Sequence, residues 1–127
     1  MTYYFLSDKN LDGEILYPRV PKNRMFHEDS VTERICVSQS INGCLTAVGG
    51  IEIGDILYIH ECDIDNSNIL QPSLQQVPDR CFTGELWVIT PTEMKLFMVI
   101  MATGLLDTQV NTMSNPVYSF KLREDMM

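Results

Sequence analysis

The sequence predicts an α+β domain built mainly on antiparallel β-sheet, with one or two short helices. Three observations lead there. Short runs rich in β-branched and aromatic residues recur at 3–7, 35–37, 56–62, 82–89, 94–101 and 118–123. Clusters of Asp, Asn, Gly and Pro separate them, which is turn chemistry. Helical periodicity is confined to one segment, where Ile41, Cys44, Leu45 and Val48 follow the i, i+3, i+4, i+7 spacing of a single apolar face.

The first strand is Tyr3 to Ser7, closed by the turn-forming run Asp8 to Gly13. Leu16 to Pro21 is extended, because each of its two prolines disfavours helix in the residue before it. Lys22 to Glu33 is a polar loop, long for a small domain unless it binds something. Ile35 to Val37 is a short buried strand. The hydroxyl-rich turn Ser38–Ser40 follows it, and Ser40 stands where a helix N-cap belongs. The helix is expected to end at Gly49-Gly50.

From Ile56 to Cys62 both faces carry apolar residues, so this strand is expected at the centre of its sheet. Asp63 to Asp79 reads as a second long connection, rich in Asn, Gln, Ser and Pro. Phe82–Ile89 and Met94–Met101 are strands on either side of the turn Thr90–Glu93, and are expected to form a hairpin or lie side by side. Tyr118 to Arg123 alternates apolar and polar residues, as a strand with one wet face does.

A chain of 127 residues with 45% hydrophobic and 20% charged residues fits one globular domain spanning 1–127. Its net charge of -8 argues against nucleic acid or an anionic membrane as partner. Arg19, Lys22, Arg24 and Arg34 concentrate basic charge in the first third, either as a local positive site or as a solvated loop. No apolar run reaches the ~20 residues of a membrane span, and no secretory leader is evident. Cys36, Cys44, Cys62 and Cys81 form no Cys-x-x-Cys pair, which suggests reduced thiols in a cytoplasmic protein and no metal site. Phosphate-binding, dinucleotide-binding, hydrolase-elbow and zinc-protease motifs are all missing. His60 is expected to be a satisfied core histidine; His27, in the polar loop beside Glu28 and Asp29, is the better functional candidate of the two, although an exposed histidine flanked by acids is usually plain surface. Glu85 begins the Leu86–Ile89 run, where a rigid sheet can hold an active-site acid; a strand-end glutamate facing water fits the same position.

The order of segments resembles the ADP-ribosyltransferase superfamily, in particular the small rifampin-modifying type. The carriers are Phe5-Leu6-Ser7, Gly13 to Pro18, Asn23, Cys36 to Ser40, Leu57 to Glu61 and Glu85 to Val88. Phe5, Leu6 and Cys36 stand where that family has a ribose-gripping histidine, a glycine and a nicotinamide-stacking tyrosine. The resemblance implies a nucleotide site for NAD or ADP-ribose. Ser7, Asn23, Ser38 and Ser40 would contact the ligand, Arg19 or Arg34 would neutralise the pyrophosphate, and Glu85 would be the catalytic carboxylate that stabilises the oxocarbenium-like centre. The stretches Pro18–Asn23 and Glu28–Arg34 also resemble proteins of low-GC Gram-positive bacteria and their phages. Three readings follow: an active mono-ADP-ribosyltransferase using Glu85, a nucleotide-binding module of that fold without catalysis, or a protein-interaction domain. In the last, Arg19 and Arg34 merely pair with Glu28, Asp29 and Glu33. Oligomeric state stays open.

Overall fold

The computed structural model describes residues 1–21, 29–47, 51–73, 75–76, 84–105 and 118–127. Nine strands and one α-helix make up the regular structure of these residues: β1 (Thr2–Ser7), β2 (Ile15–Leu16), β3 (Ile35–Val37), α1 (Ile41–Ala47), β4 (Ile56–Asp63), β5 (Ile69–Leu70), β6 (Leu86–Val88), β7 (Thr92–Glu93), β8 (Lys95–Leu105) and β9 (Tyr118–Leu122). Every strand pairing is antiparallel. The largest sheet runs β1-β4-β8-β9, a second runs β3-β6-β5, and β2 pairs with β7.

A two-bond bridge joins the first two sheets. Tyr4 N–H donates to Ser38 C=O at 2.8 Å, and Ser38 N–H donates to Tyr4 C=O at 3.0 Å. β1 therefore has β4 along one edge and the end of β3 on the other. β5 starts only a few residues after β4 ends, beyond a 3-10 turn at Asn66–Asn68, so the second sheet curls back toward the first. Tyr3, Ile35, Val37, Cys62, Ile64, Leu86, Val88 and Met94 fill the space between them. On the opposite face of β1 and β4, Leu57, Ile59 and Ile100 pack with Tyr4, Leu6 and the α1 residues Ile41 and Leu45.

Local chemistry explains the elements. Side chains alternate across a strand, so β1 sends Tyr3 and Phe5 to one core and Tyr4 and Leu6 to the other. Ser40 Oγ accepts from Gly43 N–H at 3.0 Å and caps α1, whose apolar face turns onto β1 as its spacing requires. β4 lies between β1 and β8, as expected from its two apolar faces. A register shift between Ile59 and His60 interrupts its pairing with β8.

His60 is completely buried and neutral in form. Its Nε2 accepts from Leu11 N–H at 3.0 Å, and its Nδ1 lies 3.3 Å from Phe5 C=O, so Nδ1 carries the proton. Burial pushes the imidazole pKa down. This is the satisfied core histidine that the sequence suggests, and it ties the turn after β1 to the centre of the sheet.

Two expectations are corrected. The strands after Phe82 and after Met94 form no hairpin: β6 pairs with β3 and β5, while β8 pairs with β4 and β9. The connecting residues Thr90–Glu93 include β7, which pairs with β2 and redirects the chain from one sheet to the other. The Asp63–Asp79 connection is also not structureless, because β5 lies within it, with Ile69 against Val88 and Leu70 against Trp87. Cys36, Cys44 and Cys62 are in the reduced thiol form; Cys81 falls outside the described residues. No helix among the described residues is long and apolar enough to cross a membrane.

Candidate functional site

The three-stranded sheet has an inner face, carrying Ile35, Val37, Leu86 and Val88, and an outer face where the polar candidates gather. Cys36 lies opposite Trp87 in the β3–β6 register, and Val37 opposite Leu86 is the last pair of that ladder, after which Ser38 bridges to Tyr4. Arg34 precedes β3 on the same outer face. Trp87 is fully buried and lies at the centre of the group.

The indole joins two of the predicted residues directly. Trp87 Nε1–H donates to Glu85 Oε2 at 2.7 Å, a short bond to a charged acceptor. The Arg34 guanidinium stacks on the indole with its central carbon 4.2 Å from the ring centroid, in cation–π contact. Residues two apart on a strand share a face, and this brings Glu85 and Trp87 together.

Arg34 is 1% exposed. It donates to Thr32 C=O at 2.8 Å and to Asp29 C=O at 3.0 Å, and pairs with the Asp29 carboxylate at 3.5 Å. Asp29 is in turn a hub. Its carboxylate accepts from Thr32 N–H at 2.7 Å, Val31 N–H at 2.8 Å, Thr32 Oγ1 at 3.1 Å and Gln76 Nε2 at 3.3 Å. The backbone donors Thr32 and Val31 are the main reason its pKa falls to about 2. Asp29 N–H also donates to Gln76 C=O at 2.9 Å, which ties the segment after Ser73 to the segment before β3. Glu85, Trp87, Arg34, Asp29 and Gln76 thus form one connected network across the outer face.

The remaining candidates divide. Ser38 is buried, its Oγ accepting from Ser40 N–H at 3.3 Å, and Ser40 caps α1. Ser7 lies at the far end of β1, where its Oγ accepts from Lys9 N–H at 3.1 Å. Arg19 is exposed, and its backbone pairs with that of Arg34 through bonds of 3.1 and 2.8 Å. Asn23 and His27 fall outside the described residues. The structure therefore brings Ser38 and Ser40 together, links Glu85 to Arg34 through Trp87, and leaves Ser7 apart. No group of His, Cys, Asp and Glu among the described residues could hold a metal ion.

Two features escaped the sequence reading. Asp29 and Gln76 lie in segments read as loops, and only the fold makes them partners. The second feature is an outward-facing stripe along residues 15–19. Ile15 and Tyr17 are 55% and 68% exposed, Arg19 is exposed, and the intervening Leu16 and Pro18 are half-buried. The alternation is visible in the sequence, although the prolines direct attention to chain direction instead. Comparison with family models, curated proteins and solved structures gives no match.

Proposed function

We propose that this chain is a non-catalytic protein-binding domain that engages its partner through the outward stripe of residues 15–19. One observation carries the reading: Ile15 and Tyr17 present large apolar side chains to solvent from a short ribbon, and the strand pairing of β2 with β7 holds Ile15 in place. Exposed aromatic and aliphatic residues on rigid backbone are the usual anchors of a protein interface. The chemistry-bearing side chains support the same reading, since Arg34 pairs with Asp29 as an interaction domain would have it and Glu85 accepts from Trp87. The test is a photo-crosslinking residue at position 17, with position 121 on β9 as reference. The proposal expects specific capture from position 17 that Ile15→Ser removes; equal capture from both positions refutes it.

A second reading, a nucleotide-binding module of ADP-ribosyltransferase-like fold, is favoured by the corner where Ser38 lies beside Gly84, the residue before Glu85. Gly84 adopts a φ of +64°, and a side chain there would come within 3.9 Å of Ser38 Oγ, so backbone and hydroxyl lie close together beside a carboxylate. Such a corner suits the hydroxyls of a ribose. Calorimetric titration with NAD and then ADP-ribose tests it: heat that disappears in Ser38→Ala supports a nucleotide module, and nicotinamide release that disappears in Glu85→Gln would make it an enzyme. Silence with both ligands removes this reading.

A further inference from the structure

Beyond the Glu61–Lys95 pair, β4 and β8 separate, and a cleft of about 680 Å³ opens between the end of β4 and the β7–β8 corner. Its floor is apolar, lined by Cys62, Ile64 and Met94 from the inner core. Its walls carry the carboxylates of Asp12, Glu61, Asp63, Asp65 and Glu93 against the ammonium of Lys95. Lys95 reaches Glu61 at 3.7 Å, and the Met1 ammonium reaches Asp63 at 3.2 Å and also acts on Asp65, so these five carboxylates outnumber the two cations found with them among the described residues. Asp65 is held ionised by the Ser67 backbone N–H, which lowers its pKa.

The cleft is continuous with the stripe. Glu93 lines it, and Glu93 lies directly opposite Ile15 in the β2–β7 pair, on the same face. Read along the surface, the order is an acidic cleft, the apolar pair Ile15 and Tyr17, and then the cation Arg19. We infer that this composite surface docks a segment of a partner protein that is basic at one end and apolar next to it. The basic residues would enter the cleft and the apolar ones would cover Ile15 and Tyr17. The inference rests on the protein-binding reading and adds to it the charge and direction of the partner. The long-range attraction of the acidic walls would speed encounter and make it sensitive to salt.

The probe is an acetylated, amidated peptide, Lys-Lys-Lys-Lys-Leu-Phe-Leu-Phe, titrated by fluorescence anisotropy. Two companions replace the lysines with glutamates or the apolar half with serines. The lysine-apolar peptide is expected to bind most tightly, weakening as sodium chloride is added. The exposed triple variant D63N/D65N/E93Q should weaken it by about tenfold, the magnitude of three surface ion pairs. I15S/Y17S should weaken it as much while leaving the salt dependence intact. Unchanged circular dichroism and melting temperature would show that both variants fold. Equal binding to parent and triple variant overturns the inference, as does tighter binding of the glutamate peptide. If the glutamate peptide binds and I15S/Y17S abolishes it, the protein-binding reading stands and the cleft loses its role. No binding below a Kd of about 1 mM by any of the three also overturns it.

Discussion

Arg34→Ala is the substitution with the largest consequence that the structure predicts for the unliganded protein. It strips the donors from Thr32 C=O and Asp29 C=O, at about 1 kcal/mol for each of these part-buried hydrogen bonds. Loss of the stacking contact with Trp87 adds about 1 kcal/mol. Removing the ion pair with Asp29 adds less than the ~3–5 kcal/mol of an abandoned buried charge, because four other donors still hold that carboxylate. The expected destabilisation is at least about 3 kcal/mol, more than a hundredfold in the folding equilibrium. Lysine at the same position should restore less than half of it, since an ammonium lacks the planar fork that reaches two carbonyls and lies flat on an indole. Urea unfolding followed by circular dichroism, with the single Trp87 as a fluorescent reporter, measures it. A change below about 1 kcal/mol would refute the network as a structural element and return Arg34 to the pool of ligand contacts.

Three further outcomes are expected. Because burial depresses the His60 pKa, its neutral form stabilises the fold above the unfolded value of about 6.5, and that contribution is lost as pH falls below it; thermal melts between pH 7 and 5 should show a decline that His60→Gln flattens. Burial pushes the Cys44 and Cys62 thiols up to about 12, so iodoacetamide at pH 8 should leave both unlabelled in the native protein and label both in urea, as read by peptide mass analysis. Gly84→Ala should cost about 1 kcal/mol through backbone strain at φ +64°, with no steric term, because the nearest atom to the added carbon is 3.9 Å away; a loss above about 3 kcal/mol in chemical denaturation would contradict that.

Much of the strand arrangement is legible in the sequence because it rests on local alternation. β1, β3, α1 and β4 fall within a residue or two of where side-chain periodicity sets them, and Ser40 caps the helix as its residue type suggests. β5 is hidden because two residues, Ile69 and Leu70, are too few to show a period, and only β6 gives them a partner. The hairpin expected around Thr90–Glu93 fails for a related reason. Proximity in sequence favours pairing, but the inner core draws Leu86 and Val88 toward Ile35 and Val37 while β8 completes the other sheet. Of the candidate site, the Glu85–Trp87 contact follows from strand parity alone. The clamp of Asp29 on Gln76 joins residues 47 positions apart, and no local pattern announces it.

The place of β1 has a consequence for how the chain comes to its native state. β1 pairs Thr2 with Asp63 along one edge and bonds Tyr4 to Ser38 along the other. One edge closes on Ser38, whereas the other waits for residues 58–63 of β4, and β4 in turn takes β8 as its other neighbour. Non-local pairing of this kind gives high contact order and slow folding, on the millisecond-to-second scale rather than microseconds. During that interval Tyr3, Tyr4, Phe5 and Leu6 emerge as an unpaired aromatic-aliphatic strand, the sort of segment on which nascent chains associate. Shielding that strand until β4 is in place is the step a chaperone would serve.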